Sequence, residues 1–431
     1  MVNNTAVTRS SVIGSLQLCG TGWRSKSKMP GKDTPPSSPL YQMEDEDDDE
    51  LVEVNEDELE QILDLHGEQT DEEEDEDAFD DEPVLGPVPE RDDATAVFSQ
   101  HTKSLFCCHI EPSQGKLAVT GGQDDKAYVW EIDTGKVLLE CLGHEDSVTS
   151  VEFSQDGNFV ATADMAGQVQ VWRTSTMQKV WDYAMGDMTW MRWHHGTNVL
   201  MAGAASSEVY MWKIPSGDCK VFGGGGEKSD CGVFLPDGKR ACVGYSDGSL
   251  KLLDLKAGAF SKAMPSGEIG TVSDIAAHID NNLIIAGVNG KAIVASTNQG
   301  KVISTLNTQV PGGTEEQNVE CVAFSPDNGL PLAAYGTLEG YLFIYDLAHQ
   351  SLRHTVRQDG AITKLLWDQE RPSVYTAGTD GIVRHFDVRS GLLVQEWLGH
   401  RADILDLCQS RTGRHLITAS DDKTSRIFKL D

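Results

Sequence analysis

Two adjacent histidines, His194-His195, are the residues whose type most directly suggests metal chemistry, since neutral imidazole nitrogens are common zinc ligands. No third ligand stands at a zinc-site spacing from them, so a surface turn is the expected setting. The run Gly287-Val288-Asn289-Gly290-Lys291 sets a lysine after glycine, as phosphate-cradling loops do, yet it lacks the G-x-x-x-x-G-K-[ST] frame. Gly223–Gly226 is followed by Glu227-Lys228, with neither that frame nor a helix to receive a phosphate. No G-x-S-x-G elbow offers a serine nucleophile. The nine cysteines include the neighbours Cys107-Cys108 but no C-x-x-C, a usage that fits reduced thiols buried in strands. The expectation is a chain with no catalytic, cofactor-binding or metal site.

The elements around these residues explain their spacing better than chemistry does. His101 to Trp130 reads as three short strands, Leu105–Ile110, Lys116–Thr120 and Ala127–Glu131, rich in aliphatic and aromatic residues and bounded by Gly, Pro, Asp or Ser. The position of Trp130 recurs at Trp172, Trp212, Leu253, Ala295, Tyr345, Phe386 and Phe428, at gaps of 42, 40, 41, 42, 50, 41 and 42 residues. A period of about 40–45 residues with four strands per unit is the signature of a propeller blade. The chain is therefore expected to be all-β, a single propeller of eight blades. Asp156-Gly157, Asp237-Gly238, Asp247-Gly248, Asn289-Gly290 and Asp380-Gly381 supply hairpin turns. The one long gap places extra residues near Asn307–Gln317, a loop insert and candidate binding element.

The unit resembles a WD40 repeat, with Gly143-His144 opening a blade and Phe153-Ser154-Gln155-Asp156-Gly157 at its first hairpin. The resemblance implies a His, Ser/Thr, Asp and aromatic tetrad inside each blade. His101, Thr120, Asp124 and Trp130 take those places in the first repeat; His400, Thr418, Asp422 and Phe428 take them in the last. The second repeat has His144, Thr162 and Trp172, but Ala166 stands at the Asp position, and repeats three to six depart further. On this reading His144 and His400 are structural residues and not general bases.

Charge divides the chain. Residues 1–40 are Ser-, Lys- and Pro-rich with a net charge of +4, and residues 41–93 carry 27 acidic side chains against one basic. Residues 1–93 are thus expected to be a disordered tail, and 94–431 the propeller. Thr34 and Ser38 precede prolines and are candidate phosphorylation sites, and Leu51, Val52, Leu59, Ile62, Leu63 and Leu65 form an apolar island in the acidic stretch. Residues 94–431 hold −11 of the total −33. A field of that sign repels nucleic acid and favours basic partners. No run of about 18 apolar residues and no secretory leader stand out. The cytoplasm is the expected compartment, with the nucleus or the periphery of the plasma membrane as alternatives, and the expected state is a monomer. Because the eighth repeat stops after its third strand, the spare segment Ala94–Ser99 is expected to complete it and close the ring.

In a WD40 propeller one face is built from the loop leading into each blade and the turn between its second and third strands. The residues placed there are Glu145, Asp146, Asp164, Met165, Asp187, Trp190, Tyr245, Tyr335, Asp359 and Asp403. Carboxylates interleaved with aromatics suit a basic peptide, since carboxylates take Arg or Lys and aromatic faces stack guanidinium.

The wording of the repeats resembles the angio-associated migratory cell protein family in particular. The residues carrying it are Leu117–Trp130 (LAVTGGQDDKAYVW), Gly186–His194 (GDMTWMRWH), Pro215–Lys220 (PSGDCK) and Leu235–Arg240 (LPDGKR). That resemblance implies a non-enzymatic cytoplasmic propeller associated with cell migration and angiogenesis. It also implies kinship with a fungal propeller that chaperones a basic large-subunit ribosomal protein. Two functions are expected to compete: escort of a basic ribosomal protein in ribosome biogenesis, or a WD-repeat signalling scaffold. A phosphopeptide reader would need clustered arginines, and Arg357, Arg371, Arg384, Arg389, Arg401, Arg411 and Arg414 fall on different strands and loops.

Overall fold

The structure is a computed structural model and describes residues 83–430, apart from 266–269, 281, 311, 313–314 and 328. Thr34, Ser38 and the apolar island therefore lie outside the described residues, as does most of the acidic tail. Among the described residues every regular element is a strand, and the strands form eight four-stranded antiparallel sheets. The first blade comprises Leu105–Ile110, Leu117–Gly122, Ala127–Glu131 and Val137–Cys141, paired in that order. Its second strand is shifted towards Gly122 from the expected Lys116–Thr120, because Gly121 and Gly122 continue the pairing with Cys107 and Leu105.

The eight repeats superimpose in register. Trp130, Trp172, Trp212, Leu253, Ala295, Tyr345, Phe386 and Phe428 each face the same position of the second strand: Ala118, Val160, Leu200, Ala241, Ile284, Ala333, Val374 and Leu416. Every first strand also breaks register after its first paired residue, as between Leu105 and Cys107 or Val148 and Ser150. A bulge there adds local twist where the innermost strands crowd the axis.

Residues of opposite parity on a strand face opposite seams, so each pair of neighbouring blades encloses its own apolar cluster. Ala118 packs in the seam between blades eight and one, and its neighbour Val119 packs in the seam between one and two. Closure uses the same device. Ala96–Phe98 pairs antiparallel with Ser425–Lys429, joining Ala96 to Ile427 and Phe98 to Ser425. The Phe98 ring stacks on Trp130 of blade one at 4.5 Å with an interplanar angle of 7°. The first described strand thus belongs to the last sheet while filling the seam with the first blade.

The innermost strands present a free edge to the central channel, and side chains of the preceding blade cover it. Phe153 N donates to His109 Nδ1 (3.2 Å) and Trp193 N to Glu152 (2.9 Å). Val322 N donates to Asp274 (3.0 Å) and Cys108 N to Asp406 (3.0 Å). Satisfying these donors lets polar and ionisable groups line the channel. Burial pushes the Glu152 carboxyl up to about 7, opposed by Arg192 and the Trp193 amide. Burial lowers His109 to about 4, helped by the Arg192 charge. Burial, then the Asp406 charge, also raises Cys107 and Cys108 well above the usual thiol range, so both sit as protonated core thiols.

Candidate protein-binding face

An antiparallel four-stranded blade puts the loop leading into it and its second-to-third-strand turn at one end, here called the upper face. Its two other loops lie at the lower face. What holds the upper loops is a buried polar set in blades one, two and eight. His101 Nε2 lies 3.0 Å from Thr120 Oγ1 and its Nδ1 lies 2.9 Å from Asp124. The matching distances for His400 are 2.6 Å to Thr418 and 2.9 Å to Asp422. Burial works to raise the Asp422 carboxyl, but the His400 hydrogen bond and charge outweigh it and hold the group well below the usual range.

In blade two the expected vacancy is filled. Asp164, not Ala166, partners His144 Nδ1 at 3.0 Å, while Thr162 takes Nε2 at 2.8 Å. The carboxylate sits at the end of the second strand, two residues after Thr162, where blade one has Gly122. The aromatic member is not part of the hydrogen-bonded set: Trp130 Nε1 and Trp172 Nε1 have no acceptor, and Phe428 offers no donor. These rings pack beside a His–Thr–Asp triad. Blades six and seven substitute other groups. Glu339 accepts Asn318 N and Nδ2 at 2.8 and 2.6 Å, and Gln358 Oε1 accepts Thr376 Oγ1 at 2.8 Å.

The ten residues expected on the face divide by burial. Glu145, Asp187 and Asp359 are exposed, and Asp146, Met165 and Asp403 are half-buried. Asp164, Trp190, Tyr245 and Tyr335 are enclosed and cannot meet a partner. Asp164 is spent on His144 and on the amides of Glu145 and Gln168. Trp190 plugs the seam between blades three and four, its indole lying where a Cβ on Gly203 or Gly232 would stand, and donates to Ser229 Oγ at 3.3 Å. Tyr245 packs beneath Gly224 with Lys251 over its ring at 4.1 Å. Tyr335 donates its hydroxyl to Asn307 O at 2.6 Å, fixing the base of the insert that leads into blade six. The aromatic half of the expected face is therefore core.

The acidic half is larger than the sequence reading had it. Asp125, Asp247 and Glu339 are exposed in the second-to-third-strand turns of blades one, four and six, and Asp421, in the same turn of blade eight, is half-buried and accepts the Ser104 hydroxyl. The repeat register itself was the signal that could have found them. Burial and then the Asp146 charge raise the Asp125 carboxyl, Lys103 opposes, and Asp124 and Asp164 add to the rise. Several cations of this face are already engaged: Lys126 with Glu140 at 2.7 Å, Lys228 with Asp230 at 3.8 Å, and Arg401 with the Gly86 carbonyl. The lower face differs, since Arg371, Arg389, Arg411 and Arg414 all belong to its loops in blades seven and eight. Arg371, Arg414 and Lys429 line one cleft there with Asp368 and Glu370.

His194 and His195 sit in a lower-face loop. His194 Nε2 lies 3.0 Å from Gly238 O and its Nδ1 accepts the Gly196 amide at 3.0 Å, so one nitrogen serves its own turn and the other bridges to the first hairpin of blade four. Among the described residues no three His, Cys, Asp or Glu side chains converge as metal ligands, and no helix is long and apolar enough to cross a membrane.

Residues 93–131, 135–173 and 391–429 match the WD domain, G-beta repeat family, which are the blades with complete triads. The angio-associated migratory cell protein of Homo sapiens is 41% identical over 359 residues, spanning 80% of this chain and 82% of its own length. The ribosome assembly protein SQT1 of Saccharomyces cerevisiae is 25% identical over 414 residues, 85% of this chain and 93% of its own. Among solved structures, Chaetomium thermophilum Sqt1 bound to the N-terminus of the ribosomal protein L10 is similar with a TM-score of 0.72. It covers 79% of this chain and 100% of its own at 22% identity, a likeness of fold.

Proposed function

Because this chain belongs to the angio-associated migratory cell protein family, we propose that it is a non-catalytic platform whose upper face escorts a basic ribosomal protein segment. The observation that carries the reading is the convergence of Asp125, Glu145, Asp187, Asp247, Glu339 and Asp359 as exposed carboxylates at one end of the ring. The loops of Asp125 and Glu145 are held by buried triads, so those charges are presented on a fixed frame and lose little freedom on binding. An Arg/Lys-rich segment would gain charge-assisted hydrogen bonds there and be hidden from RNA and from self-association. The relation to a ribosome assembly protein, and the L10 peptide bound to a propeller of the same fold, support that class of partner. The proposed compartment is the cytoplasm, where ribosomal proteins are made.

Affinity capture from a cytosolic extract on the full chain, at low and high salt, tests the reading. One dominant basic ribosomal protein, retained without whole ribosomes and released by salt, is the expected result. Enrichment of receptors or GTPase regulators with no ribosomal protein would instead favour a signalling scaffold.

A further inference from the structure

The arginines that bunch late in the chain fall on different strands and loops, yet the fold returns two of them to one place. The first hairpins of blades seven and eight, 368–372 and 410–414, stand side by side on the lower face. Between them and the end of the strand Ser425–Lys429 lies a cleft of about 390 Å³, lined by Asp368, Glu370, Arg371, Thr412, Arg414 and Lys429. Its walls are fixed by hydrogen bonds. Gln409 Nε2 donates to Asp368 across the seam at 3.1 Å, and Leu430 N donates to Arg414 O at 2.8 Å. Asp368 also accepts the amides of Glu370 and Arg371 at 2.8 and 2.9 Å and the Tyr375 hydroxyl at 2.8 Å. It is buried, and those donors fill its acceptor sites, so it frames the cleft and offers nothing to a ligand.

Arg371, on one wall, has a partner of its own. Arg414 and Lys429 differ. Both are exposed, and among the described residues neither the Arg414 guanidinium nor the Lys429 amine has a hydrogen-bond or ion-pair partner. Acids are not scarce: residues 94–431 hold a net charge of −11, and other cations are paired, as Arg240 is with Asp237 at 2.8 Å and Lys126 with Glu140 at 2.7 Å. The two charges are felt by their neighbour His415, which burial lowers, Asp133 opposing, and which Lys429 and Arg414 lower further. A carboxylate would balance one of them. A phosphate monoester carries about −1.5 to −2 near neutral pH and three acceptor oxygens, which matches both. We infer that this cleft docks a phosphorylated serine or threonine of a partner protein. The acidic field of the propeller opposes a long polyanion such as RNA, whereas a single phosphate on a peptide meets mainly the local cations. Glu370 is the exposed carboxylate of the lining and the group that opposes the phosphate. The site lies on the lower face and does not depend on what the upper face receives.

The test is fluorescence anisotropy of the full-length protein with a labelled degenerate peptide library centred on phosphoserine, and with the same library unphosphorylated. The variants are Arg414→Glu with Lys429→Glu, and Glu370→Gln. At about 50 mM salt the phosphorylated library is expected to bind at least about tenfold more tightly than the unphosphorylated one, and about 300 mM salt should erode the difference. The double reversal should abolish the preference. Glu370→Gln should strengthen binding about two- to threefold by removing the opposing charge. All three side chains are exposed, so each variant should melt as the unaltered protein does, and a gain in Glu370→Gln cannot come from damage to the fold. Equal affinity for the two libraries would overturn the inference. So would a preference that survives the double reversal, or a Glu370→Gln variant that binds no more tightly. Inorganic phosphate competing as well as the peptides would mean that the cleft holds the free ion, which overturns a protein partner. Tighter binding of a single-stranded RNA, lost in the same reversal, would overturn it in favour of nucleic acid.

Discussion

His144 Nδ1 and Asp164 Oδ2 lie 3.0 Å apart with both side chains closed to water. The same carboxylate oxygen accepts the amide of Glu145 at 3.2 Å. A buried pair thus fixes the backbone of a neighbour whose own carboxylate points to solvent. This is how a buried pair inside a repeat presents charge with accuracy at its surface.

Removing Asp164 should therefore be a stability mutation. Asp164→Ala leaves His144 and two amides without their acceptor and should cost about 3 kcal/mol. Asp187→Ala, at an exposed loop position, should stay within about 0.5 kcal/mol. Chemical denaturation of both variants checks the contrast, and equal effects would refute the division between frame and face.

Ring closure rests on Phe98. Its ring is enclosed between the last blade and Trp130, so Phe98→Ala should cost about 3–5 kcal/mol through lost burial and a cavity. The melting midpoint should fall accordingly. Unaltered melting would mean that the Ala96–Phe98 strand does not hold the ring shut.

Trp190 gives a different kind of test. A Cβ at Gly203 would collide with its indole, so Gly203→Ala should overpack the seam and destabilise by about 1–3 kcal/mol. The folded protein should keep its affinity for a basic peptide, because the indole is core and not part of the face. Loss of affinity at preserved stability would return Trp190 to the binding surface.

The channel predicts a pH dependence. Burial raises Glu152 to about 7 in the folded protein, against roughly 4.3 when unfolded. The group's contribution is complete below the unfolded value and is lost as pH rises through about 7. His109, lowered to about 4, has the opposite sign: its contribution is full above roughly 6.5 and is lost as pH falls through about 4. Between pH 5 and 8 the unaltered protein should lose about 1–2 kcal/mol relative to Glu152→Gln, allowing for channel water. Parallel stability curves would contradict a raised Glu152.

Much of this architecture was legible in the chain. The apolar, mostly aromatic position near the end of each third strand set eight repeats at one register, because a blade buries one large side chain there in most copies. The triads of blades one and eight followed from the resemblance to a WD40 repeat, whose His, Thr and Asp places these two repeats fill. Asp164 was missed because the carboxylate that reaches His144 stands at the end of the second strand, two residues before the expected slot at Ala166, across a turn of the same length as that of blade one. Trp190, Tyr245 and Tyr335 were misassigned for a related reason. Their places in the repeat are near the upper loops, but whether a ring points outward or fills a seam depends on small residues across it, as Gly203 and Gly232 do for Trp190. That information is pairwise and distant in sequence. Exposed charge was the easier half, since Asp and Glu in turns rarely have anywhere else to go.

The most direct test of the upper face is equilibrium titration of the full-length protein with the L10 N-terminal peptide, comparing it with Glu145→Lys/Asp187→Lys and with a lower-face control, Asp133→Lys. Saturable binding, weakened at least about tenfold by the upper-face reversals and by added salt, is the predicted result. The control should bind as the unaltered protein does. Binding that ignores the upper-face reversals, or that is lost equally in the control, would contradict an acidic upper face as the seat of recognition.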